Sequence, residues 1–148
     1  MSLTDRLGDT YIAALQHDLV EVPPAATLVG VVRRPTGWFN AAVDENIRAL
    51  GPPAALLDAV KQQNKDFKMQ GLCDEGAHNA AWEATDFYDQ YYSHLRSDTA
   101  ANTAVRRLRD RLSDGEHLIL VCFENTKKKR CHRTLIREYI TEQQEDAP

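Results

Sequence analysis

Glu116-His-Leu-Ile-Leu-Val-Cys122-Phe-Glu124, Asn125-Thr-Lys-Lys-Lys-Arg130 and Cys131-His-Arg-Thr-Leu-Ile-Arg-Glu-Tyr-Ile140 follow one another without a gap. The first piece holds a short apolar run, Leu118 to Phe123, of the length and composition of a buried strand. The third places Leu135, Ile136, Tyr139 and Ile140 on one helical face. Between them lies a basic loop that ends on Cys131-His132-Arg133, where the helix is expected to begin. A strand that delivers a basic loop to a helix N-terminus is suited to anions. The first-turn N–H groups lack intrahelical partners, and the helix dipole adds about half a positive charge there.

Working backwards, Thr27-Leu-Val-Gly-Val-Val-Arg33 is a second buried-type strand, with branched apolar residues and no clean alternation. It runs into Arg33-Arg34-Pro35-Thr36-Gly37-Trp38-Phe39. Two buried-type strands separated by helices predict parallel pairing in an α/β fold. The expected architecture is one compact domain over 1–148, with a small, mostly parallel sheet flanked by helices. A third strand is expected in Leu19 to Val22 or near Lys68 to Cys73.

The remaining segments read as helices and connections. Leu3, Leu7, Tyr11 and Leu15 recur every four residues and predict a helix from Thr4 to His17, within an N-terminal helix and linker over 1–22. Asn40 is expected to cap a short helix carrying Val43, Ile47 and Leu50. Pro52-Pro53 opens the next helix, with Leu56, Leu57, Val60 and Phe67 inward. Gly71 to Asn79 reads as a loop, Ala80 to Leu95 as one helix, and Asp98 to Leu112 as another, closed by Asp114-Gly115. The tail, 142–148, is polar and expected to fray.

At 148 residues, with 43% hydrophobic and 27% charged residues, the chain has a globular composition. A net charge of −4 disfavours a general nucleic-acid binder, although a local basic patch still suits phosphate. No run approaches the ~20 apolar residues that span a bilayer. No signal-peptide pattern opens the chain. Three cysteines are too few and too odd for a disulfide scaffold, and a reducing cytoplasm is expected. Cys73, His78, Cys122, Cys131 and His132 lack the close pairs of a zinc knuckle, so neither a metal nor another cofactor is expected.

If the strands are parallel neighbours, the loops after both converge at one edge of the sheet, where α/β proteins bind ligands. Arg33, Arg34 and Arg133 are then the expected anion ligands, with Trp38 as a stacking wall and Tyr91 offering a hydroxyl. Cys131 at a basic helix start is where a thiol becomes a thiolate. That makes it the candidate nucleophile, with His132 or Glu124 as acid or base. Cys131 is expected to be partly exposed and Cys122 buried. The interval from Cys131 to Arg137 matches the phosphatase Cys-x5-Arg spacing, but Leu135 to Arg137 read as helix rather than as a cradle.

Leu120-Val-Cys-Phe-Glu124, a short insertion and Cys131-His-Arg-x-Leu-Ile-x-Glu138 together resemble the C-terminal signature of the domain of unknown function 488 family. Arg34-Pro35-x-x-Trp38-Phe39, Leu50-Gly-Pro52 and Phe87-x3-Tyr91-x3-Leu95 resemble further parts of it, so the likeness spans about 27–141. A Gly-His-Ser element common in the larger branch is absent, and the loop before Cys131 is unusually rich in lysine. The resemblance implies a compact α/β domain with a site at Cys122, Glu124, Cys131, His132 and Arg133, and no established reaction. Two functions fit these features. One is an enzyme acting on a phosphorylated or nucleotide-like substrate. The other is a non-catalytic module that binds nucleotide or nucleic acid through the same surface. Neither the membrane nor any particular oligomer is implicated.

Overall fold

The computed structural model describes residues 6–123 and 131–145. Four strands form an all-parallel sheet in the order β1-β4-β2-β3, with β1 at Leu7–Tyr11, β2 at Ala26–Gly30, β3 at Glu45–Asn46 and β4 at His117–Cys122. The fold is α/β with a parallel sheet, as the two strand-type runs predict. Strand β4 is central. It pairs with β2 from Ala26↔His117 to Gly30↔Val121 and with β1 from Leu7↔Leu118 to Tyr11↔Cys122. Its residues from Leu118 to Cys122 are all buried, which is why its sequence lacks alternation.

The N-terminal segment differs from expectation. Leu7 to Tyr11 is a strand, and the helix α1 covers Ile12–Gln16. The four-residue period is satisfied locally by a helix. The free edge of β4, however, would leave buried N–H and C=O groups without partners, and β1 supplies them. The third strand thus lies in neither place foreseen for it, and β3 is a two-residue edge.

Helix α2 covers Gly37–Ala42 and is capped by Thr36, whose side chain accepts from the Phe39 N–H at 3.3 Å; Asn40 sits inside it rather than at its cap. A 3-10 turn, Arg48–Leu50, leads to α3 (Ala54–Met69), which follows Pro53 as expected. The presumed loop around His78 is α4 (Asp74–Ala84), capped by the Cys73 sulfur accepting from the Gly76 N–H at 3.3 Å. Asp86 takes a left-handed conformation and divides α4 from α5 (Phe87–Ser97), so Ala80 to Leu95 is not one helix. Asp98 caps α6 (Thr99–Ser113) by accepting from the Ala101 N–H at 2.9 Å, and Gly115, with φ +97°, ends that segment before β4. Helix α7 (His132–Glu145) packs against β1, β4, α5 and α6. Among the described residues no helix is long and apolar enough to cross a membrane.

Tyr91 ties this core together. It is fully buried, and its hydroxyl donates to the Leu50 carbonyl at 2.5 Å. Burial, with the neighbouring Cys131 sulfur next in effect, pushes its phenol well above the ordinary value, so it stays a neutral donor. Tyr91→Phe is expected to cost about 1–2 kcal/mol in urea unfolding, because it strands a buried carbonyl. A neutral result would show that water replaces the hydroxyl.

Candidate functional site

Because β2 and β4 are parallel neighbours, the chain leaves both at the same edge of the sheet. A cavity of about 330 Å³ lies there, roofed by α3 and α4. Its polar wall carries Arg33, Arg34, Lys61, His78, Cys131 and His132, and its apolar wall includes Val60, Trp82, Phe87 and Phe123. The Trp82 and Phe87 rings stack at 3.9 Å between centroids.

Cys131 and His132 form the centre of the site. Cys131 is the N-cap of α7, with its carbonyl accepting from the Thr134 N–H and hydroxyl at 3.3 and 3.0 Å. Its Sγ lies 3.6 Å from His132 Nδ1. His132 Nε2 is hydrogen-bonded to the Val31 carbonyl. A carbonyl can only accept, so Nε2 carries a hydrogen, and this bond aims Nδ1 at the Cys131 thiol. The Tyr91 ring stands edge-on to the imidazole, 5.5 Å between centroids. Thiol, imidazole and orienting carbonyl thus form one continuous row of contacts.

Burial alone would push the Cys131 thiol up. The Cys122 hydrogen bond outweighs it together with the His132 charge, the His132 hydrogen bond and the Arg133 backbone N–H, and Cys131 is held well below the ordinary thiol value. At 4% exposure Cys131 is nonetheless buried, like Cys122, rather than partly exposed; it differs from Cys122 in lining the cavity. Cys73, the third thiol, is exposed.

Arg133 is not in the cavity. It is 2% exposed and turned towards β1, with Nε 3.2 Å from Asp9 Oδ1, one amino group donating to Cys122 Sγ at 3.6 Å, and its guanidinium 6.0 Å from the centre of the Tyr11 ring. Successive residues of a helix point about 100° apart, so His132 and Arg133 cannot face the same space. Arg33 lines the cavity but spends two donors on the carbonyls of Pro52 and Gly51, both at 3.0 Å. Arg34 is half-exposed at the mouth, 3.1 Å from Asp58. Trp38 stands outside the cavity, 49% exposed, and meets Phe123 edge-on at 6.3 Å. Tyr91 supports the floor with its hydroxyl directed to Leu50 rather than to a ligand. Glu124 and the Lys127 to Arg130 loop lie outside the described residues.

The sequence reading missed Lys61, His78 and the Trp82–Phe87 stack. Lys61 lies one turn from Leu57 on α3, and His78 one turn from Trp82 on α4, so helical spacing would have linked each to the cavity wall once α4 was recognised.

The chain is thus an α/β domain with a parallel sheet, in which a thiol–imidazole pair lies past the strand ends and faces a partly aromatic cavity with basic residues at its mouth. The family model described as the active DUF488-N3 subclade matches residues 11–144, and the chain belongs to that family of domains of unknown function 488. No curated protein and no solved structure matches it.

Proposed function

We propose that this protein is a thiol enzyme that acts on a small anionic substrate, phosphorylated or nucleotide-like. The observation that carries the reading is the Cys131–His132 pair, oriented through Val31 and set into the wall of the cavity. In this reading His132 Nδ1 takes the thiol proton. Cys131 Sγ forms a bond to an electrophilic centre of the substrate as the bond to its leaving group breaks, and the His132 imidazolium returns the proton to that leaving group. Arg34 and Lys61 draw the anion to the mouth, Arg33 adds positive potential from the wall, and the Trp82–Phe87 side accommodates a flat or apolar body. The description of the matched subclade as active supports catalysis over mere binding.

A second reading has its own support. Lys61, Lys65 and Lys68 line a neighbouring hollow along α3, which would let a polyanion lie across the cavity mouth without turnover.

Competing alkylation tests the enzyme reading. Iodoacetate is anionic and iodoacetamide neutral, so a basic mouth over a thiolate favours the former. The iodoacetate-to-iodoacetamide rate ratio at Cys131 is expected to exceed that of a free thiol by about tenfold at low salt, and to fall towards it in Arg34→Ala/Lys61→Ala. A ratio equal to that of a free thiol would exclude the guiding role of the mouth. Absence of reaction near pH 6 would exclude the thiolate.

A further inference from the structure

On α3 the cavity is lined by Leu57, Val60, Lys61 and Asn64, and the neighbouring hollow includes Lys61, Asn64, Lys65 and Lys68, so the two meet at Lys61 and Asn64. These residues recur at intervals of three and four and share one face of the helix. From Leu57 to Lys68 that face is about 16 Å long at a rise of 1.5 Å per residue. Its surroundings change along the way. The cavity end carries the Trp82–Phe87 stack. In the hollow, Lys68 is paired with Asp74 at 2.6 Å, and Asp58 with Arg34 at 3.1 Å. Lys61 and Lys65 remain, among the described residues, as its cations without an ion pair.

Asn64 stands at the junction with an unused acceptor. Its Oδ1 is shut off from bulk water and has no hydrogen-bond partner among the described residues. A buried amide carbonyl without a donor is costly, and an apolar side chain of similar size would cost the fold less there. The terminal torsion of asparagine is soft, so a small turn of the amide brings Oδ1 to the cavity surface, where a ligand donor can reach it. An ionised phosphate oxygen only accepts and cannot fill that role. The group beside Asn64 is therefore an uncharged O–H or N–H, set between a flat or apolar body and an anion.

On the proposed function above, we infer that Asn64 is a specificity-determining residue that accepts a hydrogen bond from a sugar hydroxyl of a ribonucleotide-type substrate. The base lies on the Trp82–Phe87 side, the phosphate on Lys61 and Lys65, and the ribose at Asn64 between them. That is the order of parts in a nucleoside phosphate, whose neutral donors between base and phosphate are the ribose hydroxyls. An aryl phosphate has the flat body and the anion but no donor between them.

The test crosses a variant with a ligand pair, so that only a direct contact couples the two. The four ribonucleoside 5′-monophosphates and their 2′,3′-dideoxy counterparts are compared for the concentration that half-protects Cys131 from iodoacetamide. Peptide mass spectrometry reads the label in the parent and in Asn64→Leu. In the parent, at least one ribonucleotide is expected to protect at about one-tenth the concentration its dideoxy counterpart needs, the effect of one hydrogen bond to an otherwise unsatisfied acceptor. In Asn64→Leu the two are expected to protect equally, at the parent's dideoxy value. Ligand-free Asn64→Leu is expected to melt at or above the parent temperature, because the orphaned carbonyl is gone. A ribonucleotide preference that persists in folded Asn64→Leu would place the hydroxyl elsewhere and overturn the inference. So would a ligand-free variant that melts several degrees lower, which makes Asn64 structural, or a parent that no ribonucleotide protects better than its dideoxy counterpart. Each of these leaves the function reading standing while iodoacetate outruns iodoacetamide at Cys131. A free-thiol rate ratio in the parent overturns that reading as well, so the two failures are distinct.

Discussion

Asp9→Asn is expected to destabilise the protein by about 3 kcal/mol, near the lower end for stripping one partner from a buried ion pair. At this size that corresponds to a fall of about 6–12 °C in melting temperature. The cause is asymmetry of burial. Asp9 has 21% of its side chain exposed and Arg133 only 2%. Removing the carboxylate leaves a guanidinium that water cannot reach. Removing the guanidinium leaves a carboxylate that is partly hydrated and still 3.7 Å from Arg137. Arg133→Met is therefore expected to cost less than Asp9→Asn, and Asp9→Leu/Arg133→Met to recover part of the loss of either. Urea unfolding of the four proteins checks the order. Equal costs, or a smaller one for Asp9→Asn, would mean that the charge of Arg133 is balanced mainly by other groups.

That order also bears on what Arg133 is for. A cavity-facing arginine that waits for an anion is repelled by its basic neighbours, and its removal leaves the ligand-free protein unharmed. An arginine sealed against Asp9 and Cys122 is part of the fold. The sequence expectation of three arginines around one anion reduces to Arg33 and Arg34 on the cavity wall, joined by Lys61.

The parts of the fold that were legible in the sequence are those whose local signal and tertiary environment agree. Strands β2 and β4 are buried on both faces and read as unbroken branched runs. Asp98 and Gly115 bracket α6 because a carboxylate cap and a positive-φ glycine have few other uses. The misreadings occur where a distant partner decides. Nothing between Leu3 and Leu15 announces the edge of β4 that turns Leu7–Tyr11 into a strand. Cysteine is a poor advertisement for a helix cap, so α4 was hidden behind Cys73 and with it His78. In the site, Cys131 and His132 were legible from the strand–loop–helix order. The face taken by Arg133 was also available in principle, from the rotation between adjacent helical residues. The role of Val31 as orienting carbonyl was not, because a backbone oxygen 101 positions away leaves no mark in the sequence.

Gly51→Ala is expected to cost about 3 kcal/mol and to disturb the cavity rim. The reason is space, not backbone freedom: Gly51 has φ −72°, which any residue adopts. A Cβ there would lie 2.3 Å from the Arg33 backbone N and 2.7 Å from its Cα. Neither is a flexible side-chain end that can turn aside, so the strand end and the Gly51–Pro52 segment must separate. Separation breaks the Arg33 hydrogen bonds to the Gly51 and Pro52 carbonyls, which hold one wall of the cavity. Gly37→Ala is the control, because it opens α2 and its Cβ would meet nothing within 4 Å. It is expected to be neutral or slightly stabilising through a smaller loss of backbone entropy. Thermal unfolding of the pair reads the difference. If Gly51→Ala melts with Gly37→Ala, the Arg33–Gly51 contact yields easily and the wall is pliable. If it falls by about 6–12 °C, Arg33 is a strut of the cavity first. Its charge then reaches a ligand only as part of the field of the wall, and Arg34 and Lys61 are left to make the direct contact.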